Sequence, residues 1–245
     1  MEYRPEELLI TVIARLLEGC GHIAAGVSSP VPGSAALLRR ELDGGESRVS
    51  IIGHLDPTFR TDGGVEFFDC AGQGRIDAFF LSGGQVDGAA NINLVGVGDY
   101  PRQRVRWAGS FGSGYLYYMV PRVILFREEH SPRVLVPRVD FISSPGVSEP
   151  DVHRPGGPQA LVTTRCLFSF DRDRRRFRLE SVHAGHTVDE VRENTGFEFD
   201  CPAQVPETPP PEPDVLQRIR EVVAPQIAGP YPRFAERVFG IAPQA

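Results

Sequence analysis

No stretch of this 245-residue chain approaches the roughly 20 consecutive apolar residues that a membrane-spanning helix requires. Cysteine is sparse: Cys20, Cys70, Cys166 and Cys201 lie far apart with no C-x-x-C pair. That spacing argues against a disulfide framework and for reduced thiols. Positive charge is outnumbered, with 26 Lys+Arg against 32 Asp+Glu and a formal net charge of −6. Nucleic acid and anionic membrane surfaces are therefore not expected partners. Three catalytic signatures are also missing: the P-loop, the dinucleotide-binding glycine fingerprint and the G-x-S-x-G elbow. The segment MEYRPEELLITVIARLLEG carries acids early and reads as an amphipathic helix rather than a signal peptide. The expectation is a soluble, cytoplasmic protein.

What is present is enough chain to bury a sizeable core, with 41% hydrophobic and 24% charged residues. Leu9, Val12, Ile13, Leu16 and Leu17 recur at helical spacing, and Gly19 and Gly21 then stop the helix. The next segment, HIAAGVSSPVPGSAALLRRE, reads as a short apolar run, a Gly/Ser/Pro turn and a second helix through Arg40. Apolar runs at 49–52, 78–81, 92–97, 123–126 and 134–141 read as buried strands of an α/β sheet. Periodicity alone leaves buried helix segments open. Residues 165–170 and 176–182 flank DRDRR as the arms of a half-buried hairpin. The expected organisation is one α/β domain over 1–201, then a proline-rich linker and a C-terminal helix over 202–245. Val215, Leu216, Ile219, Val222 and Val223 form that helix's apolar stripe.

Candidate chemistry is thinly marked. Gly109, Ser110, Phe111, Gly112, Ser113 and Gly114 form a glycine-rich loop that suits the cradling of phosphate or thioester oxygens, or a plain connector. His183-Ala-Gly-His186 has no further ligands at zinc spacing, and Thr187-Val-Asp-Glu190 behind it has capping-box form, so no metal site is expected. His54 follows an apolar run at an expected strand end, where open α/β sheets bind ligands. A structural role for it is the competing reading. Two arginine clusters stand out. One is Arg102, Arg104 and Arg106; the other is Arg172, Arg174, Arg175, Arg176 and Arg178, interleaved with Asp171 and Asp173 as in a solvated turn.

Several segments, taken in order, resemble the β subunits of the class I CoA-transferase family, of the glutaconate CoA-transferase type. They are Ser82-Gly-Gly-Gln-Val-Asp87 with Asn91-Ile-Asn93, Gly98-Asp-Tyr100, Gly109-Ser110, Val139-Asp-Phe-Ile-Ser-Ser-Pro-Gly146, Gly157-Pro-Gln159 and Val191-Arg-Glu-Asn-Thr-Gly-Phe197. Ala90 stands where the family usually has glycine. The resemblance implies a CoA-transferase-like fold with a central, mostly parallel sheet flanked by helices. It also implies an α-type partner subunit, in an αβ or α2β2 assembly, and an acyl-CoA substrate with no other cofactor.

Transferases of this family attack the thioester with a β-subunit glutamate at the end of an apolar strand. Alignment on Gly53 and Asp56 puts Ile51 at that position, and a shift by one offers only Ser50 or Ile52. Relatives without the glutamate hydrolyse carbon–carbon bonds of cyclic acyl-CoAs or decarboxylate glutaconyl-type CoAs. That reaction class is the expectation, with His54 and Ser50 as catalytic candidates. Ser28, Ser29, Pro30, Gly53, Gly83, Gly84, Gln85, Asn91 and the loop Gly109 to Gly114 are the expected substrate-binding residues. Conventional CoA transfer through another carboxylate, such as Glu66 or one from the α subunit, and a non-catalytic scaffolding role are the alternatives.

Overall fold

The computed structural model describes residues 2–242, which cluster into two compact units, Met1–Phe80 with Pro209–Ala245, and Leu81–Thr208.

In the first unit, α1 (Pro5–Leu16) opens on a capping box in which the Arg4 backbone N–H donates to Glu7 at 2.8 Å. Its Leu9, Val12 and Ile13 face inward, as their spacing requires. Strands β1 (His22–Ala25), β2 (Arg48–Ile52), β3 (Arg60–Thr61) and β4 (Ala78–Leu81) are parallel, in the spatial order β4-β1-β2-β3. Register and side-chain alternation sort the residues between two faces. Ala24, Ser50 and Phe79 are neighbours on one face, and Ile23, Ala25, Ile51 and Ala78 lie on the other. Helix α3 (Val65–Gly72) covers the first face, with Phe67 edge-on to Phe79 at 6.1 Å. Helix α2 (Pro30–Leu42) covers the second, where Gly33 lets the helix close down over Ile51.

The second unit begins with two small hairpins, β5 (Gln85–Val86) with β6 (Ile92–Asn93), and β7 (Gly96–Val97) with β8 (Val105–Arg106). The single strand expected over 92–97 is thus two, because the Asn93 side chain turns the backbone by bonding Gly96 O and Val95 N. After α4 (Ser113–Met119), β9 (Arg122–Arg127) pairs in parallel with β10 (Pro158–Thr163). The expected hairpin follows as β11 (Cys166–Asp171) and β12 (Arg176–Val182), antiparallel to each other. Helix α5 (Val188–Glu193) carries the capping box of Thr187 and Glu190. The α/β class, mostly parallel and flanked by helices, holds. One strand does not: residues 134–141 make only an isolated bridge, Leu135 with Val86. Pro137 offers no N–H there, and Asp140 N turns to the Gln85 side chain instead.

The proline-rich segment is held rather than loose. Thr208 is buried and bonds Ser181 and His183, while Pro209 and Pro210 carbonyls accept from Arg15 at 2.8 and 2.9 Å. Beyond it α6 (Pro213–Arg218), a π-helical turn (Ile219–Val223) and α7 (Ala224–Ala228) form one continuous helix, followed by α8 (Pro232–Phe239). Pro225 cannot donate to the preceding turn, and the wide turn falls just ahead of it. Leu216, Ile219 and Val223 are the buried members of the stripe. Arg220 grips the fully buried Glu7 with both nitrogens, at 2.6 and 2.9 Å. Burial works against that carboxylate's charge, but Arg220 and the Arg4 N–H outweigh it and hold its pKa below the usual range.

Two buried histidines tie the second unit together. His130 bonds the hydroxyls of Thr163 and Thr195, and His183 bonds Thr208 and the Thr163 carbonyl. Burial lowers both pKa values to about 4, His130 with help from Arg165. The unfolded chain, with histidine near 6.5, therefore binds more protons than the fold does below that pH. Their contribution to stability is complete above pH 6.5 and is lost as pH falls towards 4. The melting temperature is expected to fall across that window in calorimetric scans, and more shallowly in a His130→Gln/His183→Gln variant.

Candidate active site

Strand β1 leads through α2 to β2 on one side, while β4 lies on its other side. Such a reversal of direction opens a crevice beyond the carboxyl ends of the two diverging strands, the usual ligand site of open α/β sheets. The loop after β1 occupies it. Gly26 packs against Phe79, Val27 is 68% exposed, and Ser28 takes φ +56°, unusual for a residue with a side chain. Ser29 and Pro30 begin α2 and are half-buried. Tyr231 fastens this loop: its hydroxyl donates to Gly26 O at 3.2 Å and accepts from Ser29 N at 3.3 Å. Tyr231 had no sequence signal, since some 200 residues separate it from its partners.

The end of β2 sits beside this loop, and its three last positions are accounted for. Ser50 is buried and bonds His22 Nε2 at 2.9 Å; His22 Nδ1 bonds Arg75 O at 2.8 Å. A carbonyl can only accept, so Nδ1 carries the proton and Nε2 accepts from the Ser50 hydroxyl. Ile51 points the opposite way, fully buried beneath α2. Ile52 packs over Gly63. None of the three brings a carboxylate to the crevice. Gly53, at φ +84°, turns the chain, and Leu55 is 72% exposed.

His54 turns inward instead, 4% exposed and edge-on to Phe59 at 5.1 Å. Its Nδ1 accepts from Asp56 N at 3.0 Å, which leaves the proton on Nε2, where no partner meets hydrogen-bonding geometry. Burial lowers its pKa, offset in part by Asp56 and the Gln226 backbone. Glu66 lies exposed in the first turn of α3, which starts shortly after the carboxyl end of β3 and so at the same sheet edge.

In the second unit the expected binding residues turn their polar atoms onto their own chain. Gln85 Oε1 accepts from Asn93 and from Asp140 N, and its amide donates to Asp140. Asn91 bonds Asp87 and Gly146 N. Gly83 and Gly84 make room, Gly84 directly for the Trp107 ring. The loop after Gly109 is a turn at the head of α4, in which Ser113 N donates to Ser110 O and Ser113 meets the Ser144 hydroxyl at 3.3 Å. Phe111 is 90% exposed and Gly112 and Gly114 flank the helix start. Among the described residues no group of His, Cys, Asp and Glu could hold a metal ion, and no helix is long and apolar enough to cross a membrane.

Residues 21–194 match the family model described as Coenzyme A transferase. The chain is 35% identical over 157 residues to the β subunit of 3-oxoadipate CoA-transferase of Pseudomonas knackmussii, covering 62% of this chain and 60% of that protein. It is 28% identical over 163 residues to the cholesterol ring-cleaving hydrolase IpdB subunit of Rhodococcus jostii, covering 65% of this chain and 64% of that protein. The crystal structure of R. jostii IpdAB superposes with TM-score 0.81 at 22% identity, over 98% of this chain and 100% of that one. That of the decarboxylase AibA/AibB superposes with TM-score 0.75 at 21% identity, over 98% and 100%. The chain thus belongs to the coenzyme A transferase family, although its alignments span about three-fifths of the length of the curated relatives.

The sealed pocket around Ile51 makes its substitution diagnostic. Ile51→Glu would bury a carboxylate with no partner under α2, at a cost on the order of 3 kcal/mol. Denaturant melts of the variant are expected to show that loss of stability.

Proposed function

We propose that this chain is the β subunit of a heteromeric enzyme that processes acyl-CoA thioesters, with an α-type partner of the same family. The reaction we assign is glutamate-independent: hydrolysis of a carbon–carbon bond or decarboxylation of the acyl group. One observation carries this reading: at the switch-point end of β2, Ser50 is tied to His22, Ile51 is sealed under α2 and Ile52 packs on Gly63. No nucleophilic carboxylate from β2 can reach a thioester there. The names of the ring-cleaving hydrolase and the decarboxylase among the similar proteins agree with it.

Both assigned reactions need less from this chain than transfer does. In hydrolysis, water adds to a ketone carbonyl; the adjacent carbon–carbon bond then breaks, and its electron pair leaves as a thioester enolate that takes up a proton. In decarboxylation, carbon dioxide departs and leaves the same kind of enolate to be protonated. Either way the enolate oxygen needs donors and the base comes from elsewhere, here assigned to the α-type subunit. The backbone around Gly26, Val27, Ser28 and Ser29 at the head of α2 is the assigned cradle for the acyl thioester. His54, with its unpartnered Nε2 proton, is this chain's candidate for proton transfer or oxyanion support. Unchanged turnover in His54→Ala would remove that role.

Conventional transfer is the second reading, because Glu66 is exposed at the same sheet edge. The discriminating experiment co-produces the chain with an α-type subunit and follows a panel of acyl-CoAs by mass spectrometry, with and without acetate. Release of carbon dioxide or ring opening without acetate is expected. Acetyl-CoA formed only with acetate, and lost in Glu66→Gln, would establish transfer instead. Equal activity of the α-type subunit alone would reduce this chain to a scaffold.

A further inference from the structure

The two arginine clusters, alike in sequence, differ in three dimensions. In the cluster at 172–178, Arg174 and Arg176 pair with Asp200, Arg178 lies beside Glu180, and Arg172 donates to the carbonyls of Pro121, Gly157 and Pro158. Arg102, Arg104 and Arg106, by contrast, stand exposed on the β7–β8 hairpin, and among the described residues none of them has a carboxylate partner. Arg106 bonds only the Gln103 amide oxygen, at 2.9 Å. Within the hairpin only Asp99 opposes them. Three unneutralised guanidinium groups on one short hairpin are conspicuous in a chain of net charge −6.

The hairpin is also held firmly. Arg104 N donates to Val97 O at 2.8 Å, Arg102 N to Asp99 O at 2.8 Å, and Gly98 N to the Asp140 carboxylate at 2.7 Å. At its tip Tyr100 is 58% exposed, with the Phe141 ring 5.1 Å away and the Arg106 guanidinium 5.8 Å from its centroid. An exposed aromatic ring beside planar cations is a platform for a nucleobase, and guanidinium forks match phosphate oxygens. Nothing apolar enough to suggest a lipid surrounds them.

We infer that the β7–β8 hairpin binds the nucleotide end of the coenzyme A thioester, its arginines on the phosphates and Tyr100 on the purine. This rests on the acyl-CoA reading above, because a CoA thioester carries a diphosphate and a ribose phosphate on one purine nucleoside. The site would then sort substrates by their carrier: a pantetheine thioester, lacking those groups, gains nothing from it.

The test uses the complex with the α-type subunit and a variant carrying Arg102→Gln, Arg104→Gln and Arg106→Gln. All three side chains are exposed, so the melting temperature should not move. Calorimetric titration with free CoA is expected to show affinity falling about tenfold or more, since charge-assisted contacts are lost. Turnover of a pantetheine thioester should stay the same. Lysine at the three positions should recover part of the affinity, and salt should weaken the wild-type complex more than the glutamine variant. Equal CoA affinity in wild type and variant overturns the hairpin assignment and leaves the acyl-CoA reading intact. Wild-type complex that fails to bind CoA overturns both. A variant that sheds the α-type subunit yet keeps its CoA affinity makes the hairpin a subunit contact and overturns the nucleotide assignment.

Discussion

Parallel pairing of β1 with β2 on one side and β4 on the other is the constraint from which the first unit's chemistry follows. Parallel strands return their connections over opposite faces when the order reverses, so the two covering helices separate beyond the ends of the middle strand. The backbone there has no strand left to pair with. Gly26 and Ser29 find a partner in Tyr231. The same register also places Ser50 and Ile51 back to back, one bonded to His22 and the other sealed under Gly33. A change in register by a single residue would exchange those faces.

Burial of polar groups here is paired burial. Glu7 loses its water but gains two nitrogens of Arg220, linking α1 to the π-helical turn of the C-terminal helix. His130 and His183 have both ring nitrogens engaged, and so does His22. Their neutral forms fit these networks, and adding a proton would charge a ring that burial keeps from water. His54 departs from this pattern. One nitrogen is engaged and the other is buried without a partner, a cost that a fold ordinarily avoids.

Charge tells the second unit's hairpins apart. The chain contains no lysine, so every cation other than histidine is an arginine whose planar fork seeks a planar acceptor. At the β11–β12 turn those forks find acids and carbonyls of their own chain. At β7–β8 they do not, and an exposed tyrosine stands with them.

Local pattern was enough for α1, for the β11–β12 hairpin and for the Thr187 capping box, because each depends on neighbours within a few residues. It was enough, too, for the absence of a glutamate at the end of β2, which is a statement about residue identity. The run at 134–141 misled, because hydrophobicity marks burial without saying where backbone hydrogen bonds go, and Pro137 decides that. Gln85 and Asn91 have the side chains of ligand-binding residues, yet their amides are satisfied by Asp140 and by Asp87 and Gly146, which only folding brings near. Sequence by itself determined the class of fold, the family and the residue types available for chemistry. Tertiary structure alone decided which way each of them faces, because a strand alternates its side chains and only its partners settle which face is sealed and which edge is open.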